Sequence, residues 1–129
     1  MKCLLAFIPP EHLDNLVEEL AQHHVHGLTI SDARGFGQEH DRGHPDHREY
    51  PGVDLIDKTR VEIVCRDDEV DEIMACFYSA GHSGRRGDGK VFVIDVIDAL
   101  RLKTGERGDS ALGPGSQRTA ERDGGGDGR

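Results

Sequence analysis

Two strand–helix–strand patterns follow one another along the 129-residue chain, with a long polar segment between them. In the first pattern, residues 3–8 form an apolar run that is typical of a buried strand. Apolar side chains then recur at helical spacing from Leu13 until the pattern fades before Gly27. Residues 28–33 complete the pattern and predict a second strand.

The second pattern repeats this order after the polar segment. Residues 59–65 alternate between polar and apolar side chains, which predicts a strand. An acidic triplet then suits the positive N-terminal end of a helix, and apolar side chains recur at helical spacing until Phe77. Residues 90–96 predict a further strand, which 97–102 continue. Two such units in series predict an α+β, ferredoxin-like βαββαβ sandwich with both helices on one face of the sheet.

Length and composition allow one domain and a tail. We expect the domain at residues 1–112, with a long loop at about residues 37–57 that is either functional or disordered. Residues 113–129 are rich in Gly, Asp and Arg and are expected to form a disordered tail. Hydrophobic residues make up only 35% of the chain and Trp is absent, so the core must be aliphatic and self-association would help to cover it.

Charge and cysteine usage narrow the class of protein further. The formal net charge of −9 argues against nucleic acid as a partner, because phosphate backbones attract basic surfaces. The longest apolar runs fall short of a membrane span, and the apolar start of the chain predicts a strand rather than a signal peptide. Cys3, Cys65 and Cys76 lie beside apolar neighbours and are expected to be buried and reduced, as in a cytoplasmic protein.

A glycine-rich, cationic loop at residues 83–90 is the main candidate for binding an anion. Its glycines let backbone N–H groups converge on an anion, and its arginines match phosphate oxygens. The spacing of a P-loop is present, but Val91 stands where that motif needs Ser or Thr, and the loop follows a helix rather than a strand. The sequence therefore predicts a phosphate-binding loop that is not a P-loop, and a turn with merely solvated charges is the alternative.

A second cationic stretch lies at residues 101–108. Its alternation places Arg101 and Lys103 on one face of an extended strand. Two cationic elements in a small acidic protein suggest one phosphate site, shared between them or between two copies of the chain.

Histidines form two further clusters. His40, His44 and His47 lie in the long loop among carboxylates, where they could bind zinc or copper, sense pH, or simply be solvated. A second cluster, His23, His24 and His26, is explained by helix C-capping and surface exposure. No trio of residues resembles an activated nucleophile with its base, so an enzyme is not predicted.

Four motifs together resemble the PII signal-transduction family, over residues 1 to about 112. They are Gly35-Phe36-Gly37 before the long loop, Lys58 at its end, the glycine loop of residues 84–90, and residues 104–108. The resemblance implies a trimer of ferredoxin-like subunits, with adenine nucleotides bound in clefts between neighbours. It also implies a regulator that is not an enzyme and that contacts a target protein through the long loop, called the T-loop.

The resemblance further implies two sets of binding residues. The glycine loop would contact the phosphates, strand residues would line the adenine end, and two cations would reach across from the neighbouring subunit. The implied nucleotide-binding residues are Thr29, Gly35, Gly37, Gln38, Glu62, Val64, Arg85, Arg86, Gly87, Asp88, Gly89, Lys90, Arg101 and Lys103. The implied effector-binding residues are Lys58 and Glu39. The expected ligands are ADP, AMP or ATP, with Mg²⁺ as a companion of the phosphates and no separate metal site.

The chain departs from the family pattern at two places in the T-loop. Glu39 replaces the Gln that helps to hold magnesium and 2-oxoglutarate, and its carboxylate would repel a dicarboxylate effector. Pro51 stands where the family's modifiable Tyr would fall, with Tyr50 beside it, which argues against nucleotidylation. We therefore expect an adenine nucleotide sensor with bicarbonate as its second effector. The alternatives are a nitrogen-regulatory protein that senses ATP and 2-oxoglutarate, and a metal-responsive module that uses the T-loop histidines.

Overall fold

The computed structural model describes residues 1–25, 27–36, 48–50, 53–85 and 87–113. Two α-helices and six strands lie in this part of the chain, with short 3₁₀ turns at Pro10–His12, Asp67–Glu69 and Gly108–Leu112. In chain order the elements are β1 (Lys2–Ile8), α1 (Leu13–Gln22), β2 (Thr29–Gly35), β3 (Arg48–Tyr50), β4 (Val53–Asp54), β5 (Ile56–Cys65), α2 (Val70–Gly81) and β6 (Lys90–Asp95).

The main sheet has four strands in the order β2-β5-β1-β6, and every neighbouring pair is antiparallel. The two central strands, β5 and β1, thus come from different strand–helix–strand units, so the units interlock rather than lie side by side. This strand order and the two helices confirm the predicted ferredoxin-like fold.

The core lies between this sheet and the two helices. Alternate side chains of β1 and β5 face inward, including Leu4 and Ile63, which are almost fully buried. The helices contribute side chains that recur at helical spacing, including Leu16, Leu20 and Ile73. Burial of one such aliphatic side chain contributes about 1.5–3 kcal/mol. The predicted apolar stripes of both helices are therefore confirmed as core except at Val17 of α1, which is exposed.

The cysteines are free thiols, as predicted, and two of the three are fully buried. Burial raises the pKa of Cys65 to about 11, with a smaller contribution from the nearby carboxylate of Glu69. Burial also raises the pKa of Cys3, which is only partly buried, and of Cys76. These thiols therefore stay protonated, and so poorly nucleophilic, at neutral pH.

Two strand boundaries differ from the predicted ones because strand pairing extends them. The strand predicted at residues 28–33 runs to Gly35, since β2 stays paired with β5 up to the Gly35–Ile56 pair. The start of β5 at Ile56 shortens the predicted loop of residues 37–57, and β3 and β4 form a separate two-stranded ladder within that range. Residues 37–47 and 114–129 lie outside the described part of the chain, so the predicted loop, tail and domain boundary stay predictions.

The predicted continuation of the last strand through residues 97–102 is wrong. β6 ends at Asp95, and the chain then forms a turn that is closed by an isolated bridge between Leu100 and Arg107. The amide of Gly105 donates to the carbonyl of Arg101 at 2.7 Å, and the φ of +82° at Gly105 favours glycine. Alternating charge therefore marks a turn here, not a strand.

Candidate functional site

The glycine loop leaves α2 and enters β6, and its backbone has the special conformations that the sequence indicated. Gly84, Gly87 and Gly89 have φ angles of 81°, 92° and 99°. These values fall in the left-handed region, which glycine adopts at little cost. The loop can thus turn tightly enough to present backbone N–H groups to an anion.

Asp88 organises this loop from within. Its carboxylate accepts hydrogen bonds from the backbone amides of Ser83, at 2.8 Å, and Gly84, at 3.0 Å, and from the Ser83 hydroxyl. Burial by itself raises the pKa of Asp88, but these hydrogen bonds outweigh it and hold the pKa below its usual range. The Asp88 carboxylate therefore holds the start of the loop through its backbone amides.

Gly89 is in close contact with the neighbouring strand. A Cβ atom built on Gly89 would lie 2.2 Å from the carbonyl oxygen of Phe7. The next residue, Lys90, is exposed and pairs with Phe7 in the ladder between β6 and β1. The end of the loop is thus fixed against β1, and it places Lys90 at a defined position at the start of β6.

Lys58 links β5 to the glycine loop. Its ammonium group donates a hydrogen bond of 3.1 Å to the carbonyl oxygen of Gly87, and the residue is only 6% exposed. In the sheet, Lys58 is paired with Ala33 of β2. The predicted effector lysine and the predicted phosphate loop are therefore in direct contact.

A cavity of about 410 Å³ opens beside Lys58, near the end of β2 and the start of β5. This volume is within the range of small-molecule sites. Its polar lining mixes two cations with two carboxylates, and Pro10 and Ala33 complete it; the charged residues are Lys58, Arg34, Asp32 and Asp57. Arg34, Asp32 and Asp57 were not predicted as site residues, because they line a common cavity only once β2 and β5 pair.

The residues expected to line the adenine end lie together on the exposed face of the sheet. Thr29 is paired directly with Glu62 across β2 and β5, and Val64 follows two residues further along β5. Glu62 accepts a hydrogen bond of 2.8 Å from the Arg60 guanidinium. The alternation of β5 puts Glu62 on the face opposite the buried Val61, as predicted.

Arg101 and Lys103 do not share one face of a strand. The guanidinium Nε of Arg101 donates to the carbonyl of Ala111 at 3.3 Å and lies 3.6 Å from a carboxylate oxygen of Glu106. Lys103 is exposed in the turn that follows. Among the described residues of this single chain, no hydrogen bond or ion pair joins either cation to the glycine loop.

Asp98 was missed by the sequence reasoning, although it fixes this turn. Its carboxylate accepts hydrogen bonds from the amides of Ala99, at 2.8 Å, and Gly108, at 3.2 Å, and from the guanidinium of Arg107. The Arg107 interaction, followed by the Ala99 amide, holds the pKa of Asp98 below its usual range. The only signal in the sequence is an acidic residue shortly before a Gly-rich cationic stretch.

The remaining predicted site residues fall into two groups. Gly35 ends β2 beside the Lys58 side chain, and Arg85 is exposed, with its amide donating to the Ser83 hydroxyl at 3.2 Å. Residues outside the described part of the chain are Gly37, Gln38, Glu39, Arg86 and the histidines His26, His40, His44 and His47.

The chain is similar to known proteins over most of its length. The family model for nitrogen regulatory protein P-II matches residues 1–106. The nitrogen regulatory protein P-II of Azospirillum brasilense is 37% identical over 115 residues, which cover 87% of this chain and 100% of that protein. The protein of the same name from Klebsiella oxytoca and the nitrogen regulatory protein P-II 1 of Escherichia coli K12 are each 38% identical, with the same coverage. None of the helices in the described ranges has the length and apolar character that a membrane crossing requires. The chain therefore belongs to the P-II family, and it is a signal-transduction regulator rather than an enzyme.

Proposed function

We propose that this chain is a nitrogen-regulatory sensor that binds an adenine nucleotide and passes energy and metabolite status to a target protein through its T-loop. The relatives named nitrogen regulatory protein P-II favour this function over the inorganic-carbon function expected from the sequence. The observation that carries the proposal is the hydrogen bond between Lys58 and Gly87, which joins the effector lysine to the phosphate loop. As a regulator of this type, the protein would act in the cytoplasm.

The nucleotide phosphates occupy the glycine loop in this proposal. Backbone amides of the loop beyond Gly84 donate to the phosphate oxygens, since those of Ser83 and Gly84 are bound by Asp88, while the exposed cations Arg85 and Lys90 neutralise the phosphate charge. Mg²⁺ accompanies ATP there. Thr29, Glu62 and Val64 line the adenine end on the exposed face of the sheet.

A trimer completes the site. Large apolar side chains lie on the exposed face of the sheet, where Phe92 is 48% exposed, Ile94 46% and Val64 42%. Such a patch is typical of a protein–protein interface. Closed three-fold assembly would cover it and would bring Arg101 and Lys103 of one subunit to the glycine loop of the next. This accounts for the separation of those cations from the loop within one chain.

The assembly is tested by measuring the molar mass in solution. We expect the mass of three chains for the wild type, and a shift to the monomer for Phe92→Asp, which would bury an unpaired charge in the interface. Glu18→Gln, on the exposed side of α1, is the matched control and should remain trimeric. A wild-type monomer that still binds nucleotide with full affinity would contradict a site built from two subunits.

The second effector binds in the cavity beside Lys58. Lys58 and Arg34 would attract an anion, while Asp32 and Asp57 limit the negative charge that the cavity accepts. The relatives are named for nitrogen regulation, which favours 2-oxoglutarate, the effector that the family resemblance implies, over bicarbonate. The carboxylate of Glu39 would repel the two carboxylates of 2-oxoglutarate. A binding measurement therefore identifies the effector.

Calorimetry of nucleotide binding tests the whole proposal. ADP and ATP are titrated into the full chain with Mg²⁺, alone and with 2-oxoglutarate or bicarbonate. We expect both nucleotides to bind and 2-oxoglutarate to change the affinity for ATP, since coupling between two sites is reciprocal. A response to bicarbonate alone would replace the nitrogen function by an inorganic-carbon one. Absence of nucleotide binding would overturn the proposal.

A further inference from the structure

The helical side of the molecule carries a group of metal-binding side chains that is distinct from the nucleotide site. A carboxylate oxygen of Glu19, a ring nitrogen of His23 and the sulfur of Cys76 all lie within 4.8 Å of one another. Among the residues described, no other group of three or more His, Cys, Asp or Glu side chains lies close enough together to hold a metal ion. Glu19 lies near the end of α1 and His23 is the C-cap residue directly after it, whereas Cys76 belongs to α2.

The spacing of these residues explains why they meet. Glu19 and His23 are four residues apart, and so are Glu72 and Cys76 on the facing helix. Residues at this spacing lie on the same face of a helix. Packing of α1 against α2 therefore brings two donors from each helix to one place.

Hydrogen bonds hold these side chains in position. Nδ1 of His23 lies 2.7 Å from a carboxylate oxygen of Glu72, so the imidazole already bridges the two helices. The hydroxyl of Ser79 donates to the Glu19 carboxylate at 3.1 Å. The sulfur of Cys76 lies 3.9 Å from the backbone carbonyl of Glu19. The group is thus partly ordered before any ion binds.

We propose that Glu19, His23 and Cys76 bind one Zn²⁺ ion between α1 and α2, with Glu72 supporting His23. Sulfur, imidazole nitrogen and carboxylate oxygen are the donors that zinc prefers in proteins. Bonds of about 2.0–2.3 Å place tetrahedral donors about 3.3–3.8 Å apart. The three donors must therefore approach each other by about 1 Å, which rotation of the exposed His23 ring and the Glu19 side chain supplies.

Glu72 has a place in the site whichever nitrogen of His23 binds the ion. If zinc binds Nε2, Glu72 keeps its contact with Nδ1 and orients the ring, as carboxylates commonly do for metal-binding histidines. If zinc binds Nδ1, the Glu72 oxygen is close enough to become a ligand itself. Burial, followed by the charges of Glu19 and Glu72, raises the pKa of the Cys76 thiol, and zinc binding would displace its proton.

The test is a titration of the full chain, freed of metal by a chelator, with Zn²⁺ and with Co²⁺. Cobalt bound by a thiolate gives a charge-transfer absorption in the near ultraviolet, which histidine and carboxylate ligands alone do not give. We expect this band in the wild type, and we expect zinc to bind. Cys76→Ala and His23→Asn should each abolish the band and remove one equivalent of bound zinc. Glu72→Gln should keep the band and lower the zinc affinity about 10–100-fold.

His24→Asn is the matched control. His24 is adjacent to the site but outside the group of three, and its φ of 64° is one that Asn tolerates. We expect it to bind zinc and cobalt as the wild type does. A native circular dichroism spectrum and a cooperative urea unfolding transition show that each variant is folded.

Either of two results would overturn the proposal. The first is no zinc binding at all. The second is zinc binding that survives both Cys76→Ala and His23→Asn, which would assign the ion to other residues and leave His23 and Glu72 as an ion pair between the helices. Because these readouts do not depend on nucleotide, failure here would leave the proposed sensor function untouched.

Discussion

The ammonium group of Lys58 donates a 3.1 Å hydrogen bond to the carbonyl oxygen of Gly87, 29 residues further along the chain. Lys58 belongs to β5 and lines the cavity near the end of β2, whereas Gly87 belongs to the glycine loop. An anion bound in that cavity would interact with the same ammonium group that donates to the Gly87 carbonyl. Occupancy of the cavity would thus affect the position of the proposed phosphate-binding loop, which is what coupling between an effector and a nucleotide requires.

Replacing Lys58 by Met should uncouple the two ligands. The apolar stem is kept, but the charge and the hydrogen bond to Gly87 are lost. We expect the effector to lose its influence on ATP affinity, and the free energy of ATP binding itself to weaken by at most about 1.5–3 kcal/mol, the usual contribution of a hydrogen bond to a charged group. Calorimetry of ATP binding with and without the effector measures both effects.

Lys2→Met is the matched control for this experiment. Lys2 is also a strand lysine with ionic partners, but these are Asp67 and Asp95. The Lys2 variant should keep the affinity and the coupling of the wild type. Coupling that persists in Lys58→Met would show that the effector acts through other residues.

Gly89→Ala should disrupt the glycine loop more than Gly84→Ala. Both glycines have positive φ angles, of 99° and 81°, so each substitution carries a backbone strain of about 1–2 kcal/mol. At Gly89 the new Cβ would also lie 2.2 Å from the Phe7 carbonyl oxygen, whereas at Gly84 nothing lies within 4 Å. Urea unfolding should therefore show a larger loss of stability for Gly89→Ala, together with loss of ADP binding. Equal losses for the two variants would mean that the contact with Phe7 does not constrain the loop.

Much of the fold could be predicted because it depends on local periodicity. Leu16 and Leu20 recur at helical spacing, and Val61 and Ile63 alternate along a strand, and all four are core residues. The end of the last strand was not predictable in this way. Residues around Arg101 alternate as a strand would, but hydrogen bonds from the Gly105 amide and to the Asp98 carboxylate close a turn instead.

The candidate site was predictable only in part, for a related reason. The positive φ angles of Gly84, Gly87 and Gly89 follow from residue type. The contact of Lys58 with Gly87 does not, because it depends on the pairing of distant strands. The meeting of His23 with Cys76 likewise depends on how two helices pack: spacing decides which side chains share a face of each helix, but not which faces meet.

Asp88→Asn should reduce the stability of the protein at neutral pH and have less effect in acid. Hydrogen bonds from Ser83 and Gly84 hold the pKa of Asp88 below its usual range, although burial opposes them. The folded-state pKa is thus lower than the unfolded value of about 3.9, so the contribution of Asp88 to stability is present above that pH and is lost as the pH falls through the folded-state pKa.

Urea unfolding at pH 7 and at about pH 3 measures this difference. The gap in stability between wild type and Asp88→Asn should narrow on acidification. Glu18→Gln, exposed in the middle of α1, should show no comparable gap at pH 7. A gap that stays constant with pH would mean that the substitution acts through side-chain shape and not through the charge of the carboxylate.

Leu20→Ala should destabilise the protein far more than Val17→Ala on the same helix. Leu20 is 0% exposed and contacts the core between α1, α2 and the sheet, whereas Val17 is 38% exposed. Removing a buried leucine side chain costs about 2–5 kcal/mol, because transfer energy is lost and a cavity remains. Val17→Ala removes two methyl groups that are already partly exposed, so little buried apolar area is lost and the cost should be less than about 1 kcal/mol. Chemical denaturation of both variants measures the difference, and similar costs would show that α1 does not direct Leu20 into the core.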